Sequence, residues 1–464
     1  MAPEPGPTVL VVHPYWNFWE SSVSGDLRAD RRAFLDEAIE ALSGRFTVRD
    51  AGLIDDPVTA AAAASAARHE DVDAVVMVCT MAVPPATGIS FLDQLPSVPV
   101  VLWAVSRAAA IDADFSHARI TTDGAPVGTP MLGSALARAG RPFRVVCSTL
   151  QATEEVAREV RCAVAAGQLL RRSILVIGEP IPGYTSVVPP PDDDASHFRP
   201  RTQQVAAEEF ARLVGEVDEV DLRSRVLGVR NRSVIAEDVD PVGLERAVAS
   251  EMVLSKLIEE HHCIGGAINC HSAQLRRSPD YGIAPCLALG LLTSAGSPFT
   301  CTGDVLTAVA MGAVQALGYP TLYHEIEAID YANDEVVLSN TGEFDLRLCP
   351  TSPVSLVRNV WYEDDEVNAP CATFTIPSGP ASLIGFAYAP NPRFIVAEGT
   401  FTGRAFPATG MPNAGFRFSS GSVAQSWPRW ASAGVLHHSV ATNARVGSLI
   451  EGVAAHLGVE CVHV

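Results

Sequence analysis

Short runs of Val, Ile and Leu alternate with amphipathic stretches as far as about residue 317, and that alternation limits the fold more than any other feature of the chain. Thr8-Val-Leu-Val-Val12, Ala74-Val-Val-Met-Val78, Val98-Pro-Val-Val-Leu-Trp103 and Phe143-Arg-Val-Val-Cys147 read as strands. Between them, residues 28–42 and 59–68 read as helices, and residues 133–140 lie within another. Strands that are apolar throughout are buried on both faces, which calls for a parallel sheet with helices on each side.

The same texture restarts at Ser173-Ile-Leu-Val-Ile177, directly after Arg171-Arg172. A helix is expected over 202–215, a strand near 217–222, a long helix over 241–261 and a strand over 263–269. A helix over 285–295, a strand-to-loop passage over 299–304 and a helix over 307–317 follow. Pro189-Pro-Pro-Asp-Asp-Asp194 reads as a surface insertion, because polyproline and like charges resist packing. After residue 320 short strand-like runs such as Glu335-Val-Val-Leu338, Cys371-Ala-Thr-Phe-Thr-Ile376 and Arg393-Phe-Ile-Val-Ala-Glu398 are separated by Pro and Gly, with a closing helix near 444–457. The expected fold class is α/β: two doubly wound parallel-sheet domains, 1–172 and 173–320, then a C-terminal β-barrel-like domain over 321–464.

Composition removes several functional classes. Hydrophobic residues make up 48% and charged residues 19% of the chain, which excludes a disordered protein. No apolar run approaches the roughly 18 residues of a spanning helix, and Met1-Ala-Pro-Glu-Pro-Gly-Pro-Thr8 has no basic segment ahead of its short apolar run. A cytoplasmic protein with no membrane partner is therefore expected. A net charge of −20 without a Lys/Arg block excludes nucleic acid as a partner. The ten cysteines form no CxxC pair, and several sit in apolar runs, so they read as reduced packing residues.

Chemistry is expected at strand ends, the carboxyl edge where doubly wound sheets bind ligands. His13 and Asn17 follow the first strand, and Cys79 and Thr80 end a later one. No Gly-rich nucleotide fingerprint is present. Asn269-Cys270-His271 follows another apolar strand and reads as a pocket-lining loop. His261, His262 and Cys263 lie close by in sequence, but their spacing fits no zinc pattern. Pro298-Phe-Thr-Cys-Thr302-Gly-Asp304, Leu322-Tyr-His-Glu325-Ile-Glu327, Ser339-Asn340-Thr-Gly342 and Leu436-His437-His438 carry acids and imidazoles on separate elements. Together they suit a divalent cation of the Mn or Mg type.

Taken in order, these pieces resemble the L-fucose/L-arabinose isomerase superfamily. Asp280-Tyr-Gly-Ile-Ala-Pro-Cys286 through Gly296-Ser-Pro-Phe-Thr-Cys-Thr-Gly-Asp304 is similar to that family's Pro-Cys, Gly-x-Pro and Cys-Glu-Gly-Asp stretch. Leu322-Tyr-His-Glu325 ahead of Asn340-Thr-Gly342 is similar to its acid and His-Cys-Gly pair, and His437-His438 before a helix to its closing His segment. The resemblance spans nearly the whole chain. It implies two α/β domains, a C-terminal barrel, a Mn(2+) site, and a homo-oligomer, trimeric or hexameric, in which a neighbouring N-terminal domain completes each pocket.

The departures fall on the chemistry. Thr302 stands where the family has its first metal-binding Glu, and Asn340 where it has the His of His-Cys-Gly. Glu325, His437 and His438 remain as metal ligands, and Glu325 and Asp304 as catalytic acids. His13, Asn17, Cys79, Thr80, Thr302, Asn340 and His271 are the expected contacts for a sugar or polyol-like substrate. The resemblance implies aldose–ketose isomerisation of an open-chain sugar through an ene-diol. With two ligands replaced, the alternative is a metal-free lyase or epimerase, or a sugar-binding protein, on the same scaffold.

Overall fold

The computed structural model describes residues 7–67, 72–113, 115–191 and 198–464. The first six residues and Asp192–Asp194 of the expected insertion lie outside them, as does Arg68 at the end of an expected helix. The chain divides into two compact units, one running to Arg171 and including Gly452–Gly458, the other holding Arg172–Glu451 and Val459–Val464.

In the first unit β1 (Thr8–Pro14), β2 (Thr47–Ile54), β3 (Ala74–Cys79), β4 (Val100–Ser106) and β5 (Arg144–Thr149) form an all-parallel sheet in the order β2-β1-β3-β4-β5. Alternation along β1 sends Val9 and Val11 to one face with Phe34 and Leu35, and Leu10 and Val12 to the other with Phe91 and Leu132. Both faces are covered, which is why these strands are apolar without interruption. The order reverses between β1 and β3, the switch point at which such sheets form their ligand crevice.

The second unit opens with β6 (Ser173–Ile177), β7 (Thr202–Val205), β8 (Ser233–Ile235), β9 (Cys263–Ile268) and β10 (Phe299–Thr300). Four of these make a parallel sheet ordered β10-β9-β6-β7. Two local expectations are corrected here. Residues 202–205 are the edge strand β7, and the helix starts only at Ala207, ending at Gly215. The stretch expected as a strand near 217–222 opens the helix Glu219–Arg230, because Asp218 accepts hydrogen bonds from Val220 N at 2.8 Å and Asp221 N at 3.1 Å and so caps it.

The remaining strands are β11 (Leu322–Asp330), β12 (Glu335–Ser339), β13 (Val354–Arg358), β14 (Pro370–Thr373), β15 (Gly379–Tyr388), β16 (Pro392–Phe401), β17 (Ala414–Phe418), β18 (His438–Thr442) and β19 (Glu460–His463). Antiparallel pairings run β15-β18-β11-β12-β17-β16, and β16 pairs back to β15. The sheet therefore closes on itself as a six-stranded barrel with β19 added in parallel to β16, and closure leaves its ring of strands without free edges. The fold class is the α/β class with a C-terminal barrel. No helix among the described residues is long and apolar enough to cross a membrane.

Candidate functional site

The barrel register creates the central feature of the second unit. Glu325 on β11 lies directly opposite His438 on β18, so their side chains share one face, and a one-residue slip would separate them. His438 Nε2 is 3.0 Å from Glu325 Oε1, while its Nδ1 is 2.9 Å from Asp304 Oδ2. His437 lies just before the strand, with its ring centroid 3.8 Å from that of His438. One ligand atom each from Glu325, His437 and His438 falls within 4.8 Å of the others.

Asp304 caps the helix Val305–Ala316. Its Oδ1 accepts from Thr307 N and its Oδ2 from Thr307 Oγ1, each at 2.8 Å, with His438 Nδ1–H as a further donor. Both oxygens are engaged and the residue is fully buried. Asp304, expected as a catalytic acid, has both carboxylate oxygens committed to Thr307 and His438. With Nδ1–H held by Asp304, the Nε2 of His438 faces a second carboxylate, and the arrangement needs a positive charge between Nε2 and Glu325. In the ion-free chain that charge is a proton: burial disfavours it, but Asp304 and Glu325 outweigh burial and push His438 up to about 9. The same hydrogen bond holds the Glu325 carboxyl below its usual range.

The parallel sheet supplies the other wall. β9 and β10 end side by side, and the loop after β10 carries Cys301 and Thr302. Thr302 has φ 57°, a left-handed conformation costly for a β-branched residue. Its Oγ1 donates to Cys301 O at 2.7 Å and meets Tyr323 Oη at 3.4 Å, and the Tyr323 ring lies 4.7 Å from the His438 ring. Thr302 is thus connected to the acid–imidazole cluster, but through a neutral hydroxyl. Asn340, one residue past β12, is buried. Its Oδ1 accepts from Thr341 N at 2.7 Å, and its Nδ2 has no partner. Neither position brings a charge.

Three groups escaped sequence reasoning. Tyr323 links Thr302 to His438. Glu343 is fully buried, its Oε1 has no hydrogen-bond partner, and burial followed by the Cys270 charge pushes its carboxyl up to about 7. Cys270 and Cys301, read from sequence as packing, are both buried just past the neighbouring strands β9 and β10. The only sequence signal for the two thiols was their place just past two apolar strands. Glu343 gave none, because an isolated Glu after a Gly is ordinary loop chemistry.

The expected residues of the first unit behave differently. His13 is buried, with Nε2 2.8 Å from Thr80 Oγ1, and Arg31 Nη1 donates to the same hydroxyl at 2.9 Å. Burial and then Arg31 lower His13 to about 3. Burial pushes the Cys79 thiol up to about 12. Asn17 begins a short 3-10 helix and is exposed. His261, His262 and Cys263 form no metal-ligating group among the described residues.

No protein-family model matches the chain, and no curated protein matches it.

Proposed function

We propose that this chain is a metal-assisted aldose–ketose isomerase acting on an open-chain sugar or sugar-like metabolite. The observation that carries the reading is the Glu325–His437–His438 cluster with Asp304 fixed behind His438. Two imidazoles and one carboxylate suit a first-row ion such as Mn(2+), and a carboxylate behind a ligating His is the usual supporting arrangement. Glu325, His437 and His438 would hold the ion, which when bound polarises the carbonyl and hydroxyl oxygens of the sugar.

The chain's own residues do the rest. Asp304 keeps the proton of His438 on Nδ1, so that Nε2 points at the ion position. Tyr323 packs on that imidazole and fixes its plane. A cleft of about 440 Å³ opens at His437, lined also by Thr185, Ser186, Val188, Tyr388 and Leu436. It brings hydroxyls and apolar surface beside the cluster without another charged side chain, which suits an uncharged polyol chain.

The test has two stages. Protein incubated with Mn(2+) and then desalted should retain close to one equivalent by elemental analysis, and should interconvert at least one member of a panel of free aldopentoses and aldohexoses. Glu325→Gln should abolish that turnover with the melting temperature nearly unchanged, and retained turnover would remove Glu325 from the chemistry. The neutral Thr302 and Asn340 favour a second reading, a metal-free lyase or epimerase on the same scaffold, and absence of retained metal would select it.

A further inference from the structure

We propose that the cavity between the helices Glu219–Arg230 and Cys286–Ala295 binds a small apolar monocarboxylate, a one-ring or short-chain acid. The cavity measures about 230 Å³ and lies wholly within the second unit. It shares no lining residue with the cleft at His437. Its ligand is therefore distinct from the sugar of the proposed reaction, and the two readings stand or fall separately.

The local patterns make the walls apolar. On the helix Cys286–Ala295, Leu287 and Leu291 are four residues apart and so share one face, with Ser294 a turn further on. On the helix Glu219–Arg230, Arg225 and Val229 line the cavity at the same spacing. Along β13 burial alternates, so Val354 and Leu356 share the face that lines the cavity while Ser355 is turned from it. β8 pairs with β13 in parallel and sets Ser233 opposite Val354. Phe344 adds an aromatic wall, packed so closely on the helix that a Cβ at Gly290 would come within 2.2 Å of its Cδ1. The Ser294 hydroxyl is already committed: it donates to Gly290 O at 2.6 Å and accepts from Leu346 N at 2.9 Å. The walls between the two helices and β13 therefore call for an apolar body.

Charge selects the other end of the ligand. The lining holds two arginines and no acid, in a chain whose net charge is −20. Arg225 is neutralised, because its Nε donates to Oε2 of buried Glu251 at 3.0 Å and its Nη2 donates to Oε1. Arg232 is not. Its Nε donates to Gly228 O at 3.1 Å, which ties the guanidinium to the last turn of the helix Glu219–Arg230, and no acid among the described residues pairs with it. Both of its Nη groups are left for an anion, and a carboxylate matches that fork. A volume below the roughly 300 Å³ of drug-sized sites admits only a short body. A second charge on that body would be buried against apolar walls, which excludes dicarboxylates.

The test compares phenylacetate with phenylacetamide, the same apolar body without the charge, by isothermal titration calorimetry on the full-length chain. The acid should bind saturably and roughly tenfold or more tighter than the amide. Arg232→Gln, at an exposed position, should bring the acid down to the affinity of the amide with the melting temperature unchanged. Ala295→Trp, at an exposed position of the lining, should weaken both probes by about tenfold. At fixed protein concentration, phenylacetate should slow amide exchange over residues 287–295 and 344–356. The proposal is overturned by absence of saturable binding, by equal affinity for acid and amide, or by an acid preference that survives Arg232→Gln. Exchange protection that follows protein concentration rather than phenylacetate would also overturn it, by assigning the cavity to a contact between copies.

Discussion

Single side chains in this protein are best understood by what they are bonded to. Asp304 could be read as a spare metal ligand or base, yet both its oxygens are committed to Thr307 and His438. Asp304→Asn keeps a helix cap but leaves the buried His438 Nδ1–H facing an amide, so stability should fall by about 1–3 kcal/mol. Losing the carboxylate behind His438 should weaken Mn(2+) retention roughly 10–100-fold, and equilibrium dialysis against unfolding midpoints separates the two effects. His13 gives a pH prediction with a definite sign. Its folded value is depressed to about 3 from 6.5, so between those limits the unfolded chain binds the extra proton and stability falls as pH falls. Going from pH 7 to pH 5 should cost about 2 kcal/mol through this residue. Urea unfolding of His13→Asn at both pH values should show that part of the loss removed, because the variant has no imidazole to protonate.

At the scale of elements, the site depends on how closely β9 packs. A Cβ at Gly266 would sit 2.2 Å from Phe299 Cζ and 2.6 Å from Leu175 O, so this strand needs a residue without one. Gly266→Ala should destabilise the second unit by about 2 kcal/mol or more and loosen the loops carrying Cys270 and Thr302. Thermal unfolding and amide exchange over residues 263–272 would register both effects. Most of these elements were legible in the sequence. The continuous apolar runs of β1, β3, β4 and β6 announced themselves because both faces of a parallel sheet are buried. β7 did not, because as an edge strand with the sequence Thr-Gln-Gln-Val it is largely open to solvent. The helix that replaced an expected strand turned on a single capping residue, Asp218, which an apolarity pattern does not register.

For the whole molecule, the two compact units are not two halves of the sequence. Gly452–Gly458, near the end of the chain, belong with the first unit. There His456 Nε2 meets Glu159 Oε1 at 2.9 Å with both side chains buried, and Arg144 Nε meets the same oxygen at 3.3 Å. Burial works against the Glu159 carboxylate, but the His456 bond and charge prevail and lower its pKa. His456→Ala should leave that carboxylate buried with Arg144 as its remaining partner and destabilise the first unit by about 1–3 kcal/mol. Hydrogen exchange should show the loss in β1, β3 and β4, and a loss confined to the barrel would contradict this assignment.

What the sequence determined by itself was the succession of layers, because burial periodicity is local and each strand or helix carries its own pattern. It also marked Glu325, His437 and His438 as chemistry-bearing, since acids and imidazoles at strand ends stand out against apolar runs. The tertiary structure decided which of these groups meet and in what role. Barrel closure set Glu325 opposite His438, helix capping committed both oxygens of Asp304 to Thr307 and His438, and the pairing of β9 with β10 brought the loop of Thr302 beside Tyr323. Such outcomes depend on cross-strand register and on the electrostatics of burial, which arise only once segments distant in sequence have packed together.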